Sequence, residues 1–574
     1  MNRSPSKTLV TRISTLAVLL IVLAGLAPCF AATKAAAPQL IIQITVDGLR
    51  GDQPARVRDR LGEGGLKWLL EHGVNYSNAH YEHANTETIV GHASLATGAH
   101  PRVHGMVANV WLDHGLGRLV YNIEDASVRL LTADADVDDD VEIDPTQRTA
   151  KVEGRSPAAI LTSTFSDELA IQTAGKAKIF AVSVKDRGAV SMAGHTGIAY
   201  WFSKASGEFV TSSYYLDRYP DWVNAFNSAG HPQHYAGTEW SLLNDRTSYL
   251  YGDADDKAWE TALPGWGRVF PHSYGPTTGK YFTTLLTLSP AGDELTLDFA
   301  LELLDREKLG DDEVVDYLAI SFSSTDYVGH IFGPSSLEAE DNLLRLDHTL
   351  ARLLKTVDEK VGLENTVIVL SADHGGPEAP GALTELGLQA TYVEPDTWDR
   401  APAIAALKER FGVGEELIDQ YFHPYLYLDR EVIAAKGLDQ GEVERAVAEV
   451  LTDFDGVALA VSSSALREGN LPDTPILRAV LNNFNPSRSG DIYVVYEPHR
   501  FINDFDGLVV ACTHGSPWSY DTYVPVIVVV PGVGPRAVYR RISPLSIAPT
   551  LAALVGAKPP SGAHGAPLTE VLQH

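Results

Sequence analysis

Six side chains of two kinds stand where the chain turns. Asp47 follows the apolar run Leu40–Val46. Asp326 and His330 lie four apart in Ser-Thr-Asp-Tyr-Val-Gly-His. Asp373 and His374 close Leu-Ser-Ala-Asp-His-Gly-Gly, and His514 lies in Thr-His-Gly-Ser-Pro. Aspartate with histidine suits zinc, and a set that leaves a coordination position open is catalytic rather than structural. Asp326 and His330 share one face if their segment is helical. Each residue alone reads as a strand cap, or as one of 19 histidines on the surface or in the core; the joint pattern is far more specific. Lys185 and Arg187, in Ser-Val-Lys-Asp-Arg-Gly, add two cations. In a strand-like stretch positions i and i+2 point the same way, which would bring both to one pocket.

Placing these groups together requires several strands to end on one side. Leu40–Val46, Lys178–Val184, Tyr317–Phe322, Val367–Leu370 and Val524–Val530 are near-continuous apolar runs, as expected of strands buried on both faces of a parallel sheet. Helical segments alternate with them. Leu66–His72 stops at Gly73, and Ser336–Val361 carries leucines at helical spacing. The fold class expected is α/β: a mostly parallel central sheet flanked by helices, with inserted caps. Sites in such sheets form beyond the carboxyl ends of the strands, where the charged residues stand. The expected boundaries are a signal over 1–31, core over 38–190, an aromatic-rich cap over 190–300, core over 301–384, a small α+β insertion over 385–505, and core over 506–574. The acidic run Ala133–Asp144 reads as a solvated loop.

Arg3, Lys7 and Arg12, the apolar run from Leu16 to about Ala27, and the small residues before Ala32 predict a cleaved export signal and a periplasmic or secreted enzyme. Cleavage would leave Cys512 as the single cysteine, read as a buried small apolar residue, so no internal disulfide is expected. The formal net charge of −29 repels nucleic acid and anionic membranes. It repels phosphate esters as well, so any site for them needs strong local positive charge.

Order and context resemble the alkaline phosphatase superfamily through Asp47-Gly48, Thr88-x-x-Gly91-His92, Asp326-x-x-x-His330, Asp373-His374 and Thr513-His514-Gly515. The nearest branch is similar to the threonine-nucleophile (PafA-like) alkaline phosphatases, related to nucleotide pyrophosphatase/phosphodiesterases. The resemblance spans about residues 38–560 and includes Gly207–Tyr215. It implies two Zn2+ per chain: Asp47, Thr88, Asp373 and His374 on one, and Asp326, His330 and His514 on the other. It makes Thr88 the nucleophile, ahead of the nearby Thr86 and Thr97. It gives Asn109, Lys185 and Arg187 to the phosphoryl oxygens. Zinc coordination would activate an otherwise weak hydroxyl, and a covalent phosphothreonine would form and be hydrolysed.

Charge then discriminates between substrates. Two divalent cations against three aspartates and a threonine alkoxide leave Lys185 and Arg187 in excess, matching the dianion of a phosphate monoester rather than the monoanion of a diester. Arginine also grips two oxygens at once. The expected substrates are small phosphomonoesters, with activity highest at alkaline pH, no nucleic acid partner, no membrane anchor after cleavage, and a monomer. The alternative is a phosphodiesterase or nucleotide pyrophosphatase on the same scaffold, since Asp-Gly after the first strand is also the wording of those relatives. A sulfatase is disfavoured because Thr-Ile-Val-Gly-His replaces its Cys/Ser-x-Pro-x-Arg setting. The signal disfavours a phosphoglycerate mutase-like enzyme. A zinc- or phosphate-binding protein without turnover is the non-enzymatic reading.

Overall fold

Leu40–Val46 (β1) is buried at every residue, which fixes it inside a layered structure. The computed structural model describes residues 38–572 apart from 415, 470, 506 and 507, and apart from the side chains of 504, 505 and 508. The expected signal lies outside them. With β1, Val74–His80 (β2), Ile179–Ser183 (β3), Ile198–Ser203 (β4), Glu208–Val210 (β5), Asp316–Phe322 (β6), Thr366–Ser371 (β7), Tyr523–Val529 (β8) and Arg536–Val538 (β9) form one nine-stranded sheet. Its spatial order is β9-β2-β8-β7-β1-β6-β3-β4-β5. All strands but β5 and β8 run the same way.

Five helices matter for the site and its support besides Leu66–His72 (α1). They are Thr88–Thr97 (α2), Asp186–Ala193 (α3), Pro290–Arg306 (α4), Ser324–Phe332 (α5) and Leu337–Lys360 (α6). α3 packs on α2 and on β3, β4 and β6, while α4 covers β3 and β6 and touches α5 and α6. Both layers thus bury strands that have no polar face, each large apolar side chain contributing roughly 1.5–3 kcal/mol. Ser336 caps α6 by accepting from Ala339 N–H, as its place before the leucine-rich stretch suggests.

Two expectations change. Val524–Val530 was expected in a parallel arrangement, but β8 runs antiparallel to both β2 and β7. An apolar run reports burial on both faces, and a central strand has that burial whichever way it points. Residues 198–210, expected in a cap, supply β4 and β5 at one end of the sheet. Their aromatic side chains Tyr200, Phe202 and Phe209 are buried, which a cap core and a sheet core both require. Within 385–505, Ile418–Phe422, Tyr425–Leu428, Ile492–Tyr496 and Val457–Ser462 make a four-stranded antiparallel sheet, in that order. It encloses its own apolar core, including Trp398, Ile404, Val447 and Ile492. The chain enters and leaves this unit where Thr391–Tyr392 pairs with Arg500–Phe501.

His83, His100 and His104 are buried beneath the start of this fold. Burial, and then their mutual repulsion, hold His83 and His104 well below the ordinary histidine value. Burial and the neighbouring His564 push His100 down to about 4. A histidine depressed in the folded state contributes stability that is present above about pH 6.5 and is lost as the pH falls from there to the folded value, the range in which only the unfolded chain takes up the proton. For His100 this amounts to roughly 3 kcal/mol. Denaturant titrations at pH 7.5 and pH 4 should therefore show His100→Asn losing less stability on acidification than the unsubstituted chain, by about that amount.

Candidate active site

Four neighbouring strands, β7, β1, β6 and β3, end on the same side of the sheet. Asp47 directly follows its strand, and Asp373, Lys185 and Asp326 stand within one turn of the ends of theirs. Asp47 N–H donates to Phe322 O at 2.8 Å, and Gly48 N–H donates to Asp373 Oδ1 at 3.1 Å, so the three strand ends are tied directly. Gly48 has φ +75°, and a Cβ there would stand 3.0 Å from Asp326 Cα. The Asp-Gly pair is thus required twice, by conformation and by space. α5 puts Asp326 and His330 one turn apart, with His330 Nε2 at 3.3 Å from Asp326 Oδ1.

The loop that leads into β8 delivers His514, whose Nε2 lies 3.4 Å from the same Asp326 oxygen. Because β8 is antiparallel, the start of the strand, not its end, faces the site. Asp521 holds this loop by accepting from Gly515 N–H, Ser516 N–H and Ser516 Oγ. His374 Nε2 lies 3.3 Å from both Asp47 Oδ1 and Asp373 Oδ2, and its ring stacks on that of His514 with centroids 3.5 Å apart.

Two sets of atoms are close enough to share an ion: Asp47, Asp373 and His374, and Asp326, His374 and His514. His374 is common to both. His330, though beside Asp326, falls outside the second set. Three observations fit divalent metal. Asp47 Oδ1 and His374 Nε2 are buried and make no hydrogen bond among the described residues. The donors are carboxylate and imidazole. Each histidine also spends Nδ1–H on a backbone carbonyl: His330 on Cys512 O, His374 on Gly375 O and His514 on Thr86 O. A carbonyl only accepts, so Nδ1 carries the proton and Nε2 is the ligand-capable nitrogen, the usual support for a metal-bound histidine.

Electrostatics agree. Burial favours neutral carboxyls, yet Lys185 pulls Asp47 below the ordinary carboxylate range, and His330 and Lys185 do so for Asp326. Asp373 is raised, by burial and then by Asp47. Burial opposes a proton on His374, but Asp373, Asp47 and Asp326 push it up to about 10. His514 is pushed down to about 3 by burial and then by His374. Without metal, the clustered negative charge recruits protons and Lys185, positions a divalent ion would compete for.

Thr88 opens α2, at the end of a helix whose free N–H groups favour negative charge. Its hydroxyl makes no hydrogen bond with any described residue. Gly91, one turn on, is required because a Cβ would come within 2.0 Å of Asp373 O, so the Thr-x-x-Gly spacing lets the helix close on the Asp373 turn. His92 braces that turn, with Nδ1 at 2.9 Å from Thr88 O and 3.1 Å from Asp373 Oδ2 and with Nε2 at 2.8 Å from Ser321 Oγ.

Lys185 and Arg187 are both buried, at 1 % and 3 % exposure. They reach the site by a different route from the expected strand alternation. β3 stops at Ser183, Lys185 is the N-cap of α3, and Arg187 lies in its first turn. Ser183 Oγ accepts from Lys185 N–H, which turns the chain out of the strand. Lys185 Nζ sits 2.8 Å from Asp47 Oδ2 and 2.5 Å from Asp326 Oδ2, above the Tyr327 ring. Arg187 pairs with Asp144 at 2.9 Å. Asp144 thus corrects the reading of Ala133–Asp144 as solvated, since Asp144 and Glu142 are buried, Glu142 holding Lys204. Asp144-Pro145-Thr146 is a helix start, with Asp144 accepting from Thr146 N–H.

Thr88, Asn109, Lys185, Arg187, Asp326, His330 and His514 line one cavity of about 90 Å³, beside Asp47, Asp373 and His374. Of its other walls, Glu87, Asp144 and Tyr327 were not foreseen. Burial pushes Glu87 up to about 7.

Residues 41–517 match the family model described as type I phosphodiesterase / nucleotide pyrophosphatase. Alkaline phosphatase PafA of Elizabethkingia meningoseptica is 33 % identical over 93 % of this chain and 94 % of its own length. A Myroides odoratus protein named calcium-transporting ATPase is 32 % identical over 95 % of this chain and 96 % of its own. A crystal structure of wild-type alkaline phosphatase PafA, 32 % identical, overlays with a TM-score of 0.82 over 94 % of this chain and 99 % of that one.

Proposed function

The chain belongs to the type I phosphodiesterase / nucleotide pyrophosphatase family within the alkaline phosphatase superfamily, and on that scaffold we propose that it is a zinc-dependent phosphoric monoester hydrolase acting through Thr88. The observation that carries this reading is the burial of two cations, Lys185 and Arg187, beside a cluster of carboxylates and imidazoles. Asp47, Asp373, His374 and Thr88 would hold one zinc, and Asp326, His330 and His514 the other. Zinc there supplies Lewis acidity for the Thr88 hydroxyl and for the leaving oxygen.

The chain's own residues do the rest. Arg187 and Lys185 bind non-bridging phosphoryl oxygens, and Asn109 donates its amide to a third. Thr88 Oγ, at the positive end of α2, attacks phosphorus in line with the departing alcohol. The bond to the alcohol breaks as the bond to Thr88 forms, giving phosphothreonine. Water then cleaves that ester and releases inorganic phosphate, regenerating the hydroxyl.

The terminal phosphoryl group of ATP carries the same dianionic charge as a monoester, so an ATPase activity such as that in the Myroides relative's name draws on the same groups. Among the described residues no helix is long and apolar enough to cross a membrane. Export by the N-terminal signal, with action on small phosphomonoesters outside the cytoplasm, completes the proposal.

Metal dependence tests it. Dialysis against a strong chelator should abolish hydrolysis of p-nitrophenyl phosphate, zinc should restore it at two ions per chain, and magnesium alone should not. Faster turnover of bis-p-nitrophenyl phosphate than of the monoester by the zinc enzyme would instead favour the diesterase reading.

A further inference from the structure

We propose that Glu87 is a positioning residue, whose buried carboxylate fixes Asn109 so that the Asn109 amide N–H faces the phosphoryl oxygens. The inference rests on the phosphatase reading and adds a residue to it. Glu87 precedes Thr88 as the N-cap of α2, a place where the side chain normally takes up a free helix N–H. Its side chain makes no such cap. It turns aside, and Oε2 accepts from Asn85 Nδ2 at 2.7 Å and from Asn109 N–H at 2.9 Å. The vacated cap is filled from 20 residues away, by Asn109 Oδ1, which accepts from Ile89 N–H at 3.1 Å.

Asn109 is therefore held at three points, its N–H by Glu87, its backbone oxygen by the N–H and Nδ2 of Asn122, and its amide oxygen by the start of the nucleophile's own helix. With Oδ1 committed, the planar amide sends Nδ2 the other way. Glu87, Thr88 and Asn109 line the same cavity. The arrangement ties the nucleophile and the oxygen donor into one rigid unit, which is what catalysis by orientation demands.

The arrangement is costly. Glu87 is 7 % exposed, and the charge of Arg187 only partly offsets its burial. A buried carboxylate destabilises a fold unless its hydrogen bonds and the charges around it compensate. What the geometry uses is acceptor strength on one oxygen, and an amide oxygen in the same place can accept the same two N–H groups.

The test is a double-mutant cycle on the zinc-loaded full chain, reading kcat/KM for p-nitrophenyl phosphate in the unsubstituted chain, Glu87→Ala, Glu87→Gln, Asn109→Ala and the Glu87→Ala/Asn109→Ala pair. A hydrogen bond to a charged oxygen sets the scale, so Asn109→Ala should cost about 10- to 100-fold and Glu87→Ala about 10-fold. Glu87→Gln should stay within about 3-fold of the unsubstituted enzyme, and adding Glu87→Ala to Asn109→Ala should cost less than about 2-fold more. Zinc content should be the same in all five proteins. The proposal is overturned if Glu87→Ala costs the same factor with or without Asn109, if Glu87→Ala has no effect, if Glu87→Gln is as damaged as Glu87→Ala, or if Glu87→Ala loses zinc. An unsubstituted zinc enzyme that fails to turn over the ester removes the phosphatase reading and this inference together.

Discussion

Thr88→Ala should lose hydrolysis of p-nitrophenyl phosphate by on the order of 10⁴-fold or more, the scale seen when other enzymes lose a hydroxyl nucleophile. No other hydroxyl takes its place readily: Thr86 Oγ is committed to Ser516 O and Thr97 Oγ to Ala93 O. The fold should be untouched. The Thr88 hydroxyl makes no hydrogen bond with the described residues, so its removal orphans nothing, and a stability change within about 1 kcal/mol is expected. Circular dichroism and a melting curve establish the fold, and initial rates establish the loss. Retention of more than a tenth of the activity would mean that the nucleophile lies elsewhere.

Lys185→Ala and Arg187→Ala should change what the enzyme prefers as well as how fast it works. Each removes a buried cation aimed at a dianion, and losing such transition-state stabilisation costs about 10²–10³-fold. A diester offers one negative charge fewer, so its kcat/KM should fall by less than about 10-fold, and the monoester-to-diester ratio should collapse in the double variant. The measurement belongs on zinc-loaded protein. Without metal, Lys185 pairs with Asp47 and Asp326, and its removal leaves buried carboxylates facing each other. Arg187 also neutralises Asp144, so Arg187→Lys is the milder comparison: it keeps the charge and loses the forked grip. Equal losses on both substrates would show that the two cations support the fold rather than select the ester.

Much of this site was legible because buried parallel strands announce themselves. An apolar run that ends in Asp47 or Asp373 marks both a strand and the place where its end emerges, and Asp326 with His330 needs only a helical repeat. His514 carried no such signal, since the loop before an antiparallel strand has no periodicity, and its place came from the wording of Thr-His-Gly. Lys185 and Arg187 converge because the first turn of a helix faces the strand ends; the expected alternation gave the right meeting place through the wrong geometry. Asp144 was hidden by its acidic neighbours, because charge composition cannot show which member of a run finds an arginine. Glu87 was invisible in principle: a glutamate beside a threonine is an ordinary surface pair until residues 85 and 109 are brought against it.

The position of β8 bears on how such a protein comes into being. The strand that fills the gap between β2 and β7 follows both of them in the chain, and the loop feeding it carries the last of the six candidate ligands. Pairing so distant in sequence is slow to form. A chain lacking the segment from His514 through β8 should therefore leave β2 and β7 unjoined and take one imidazole away from Asp326.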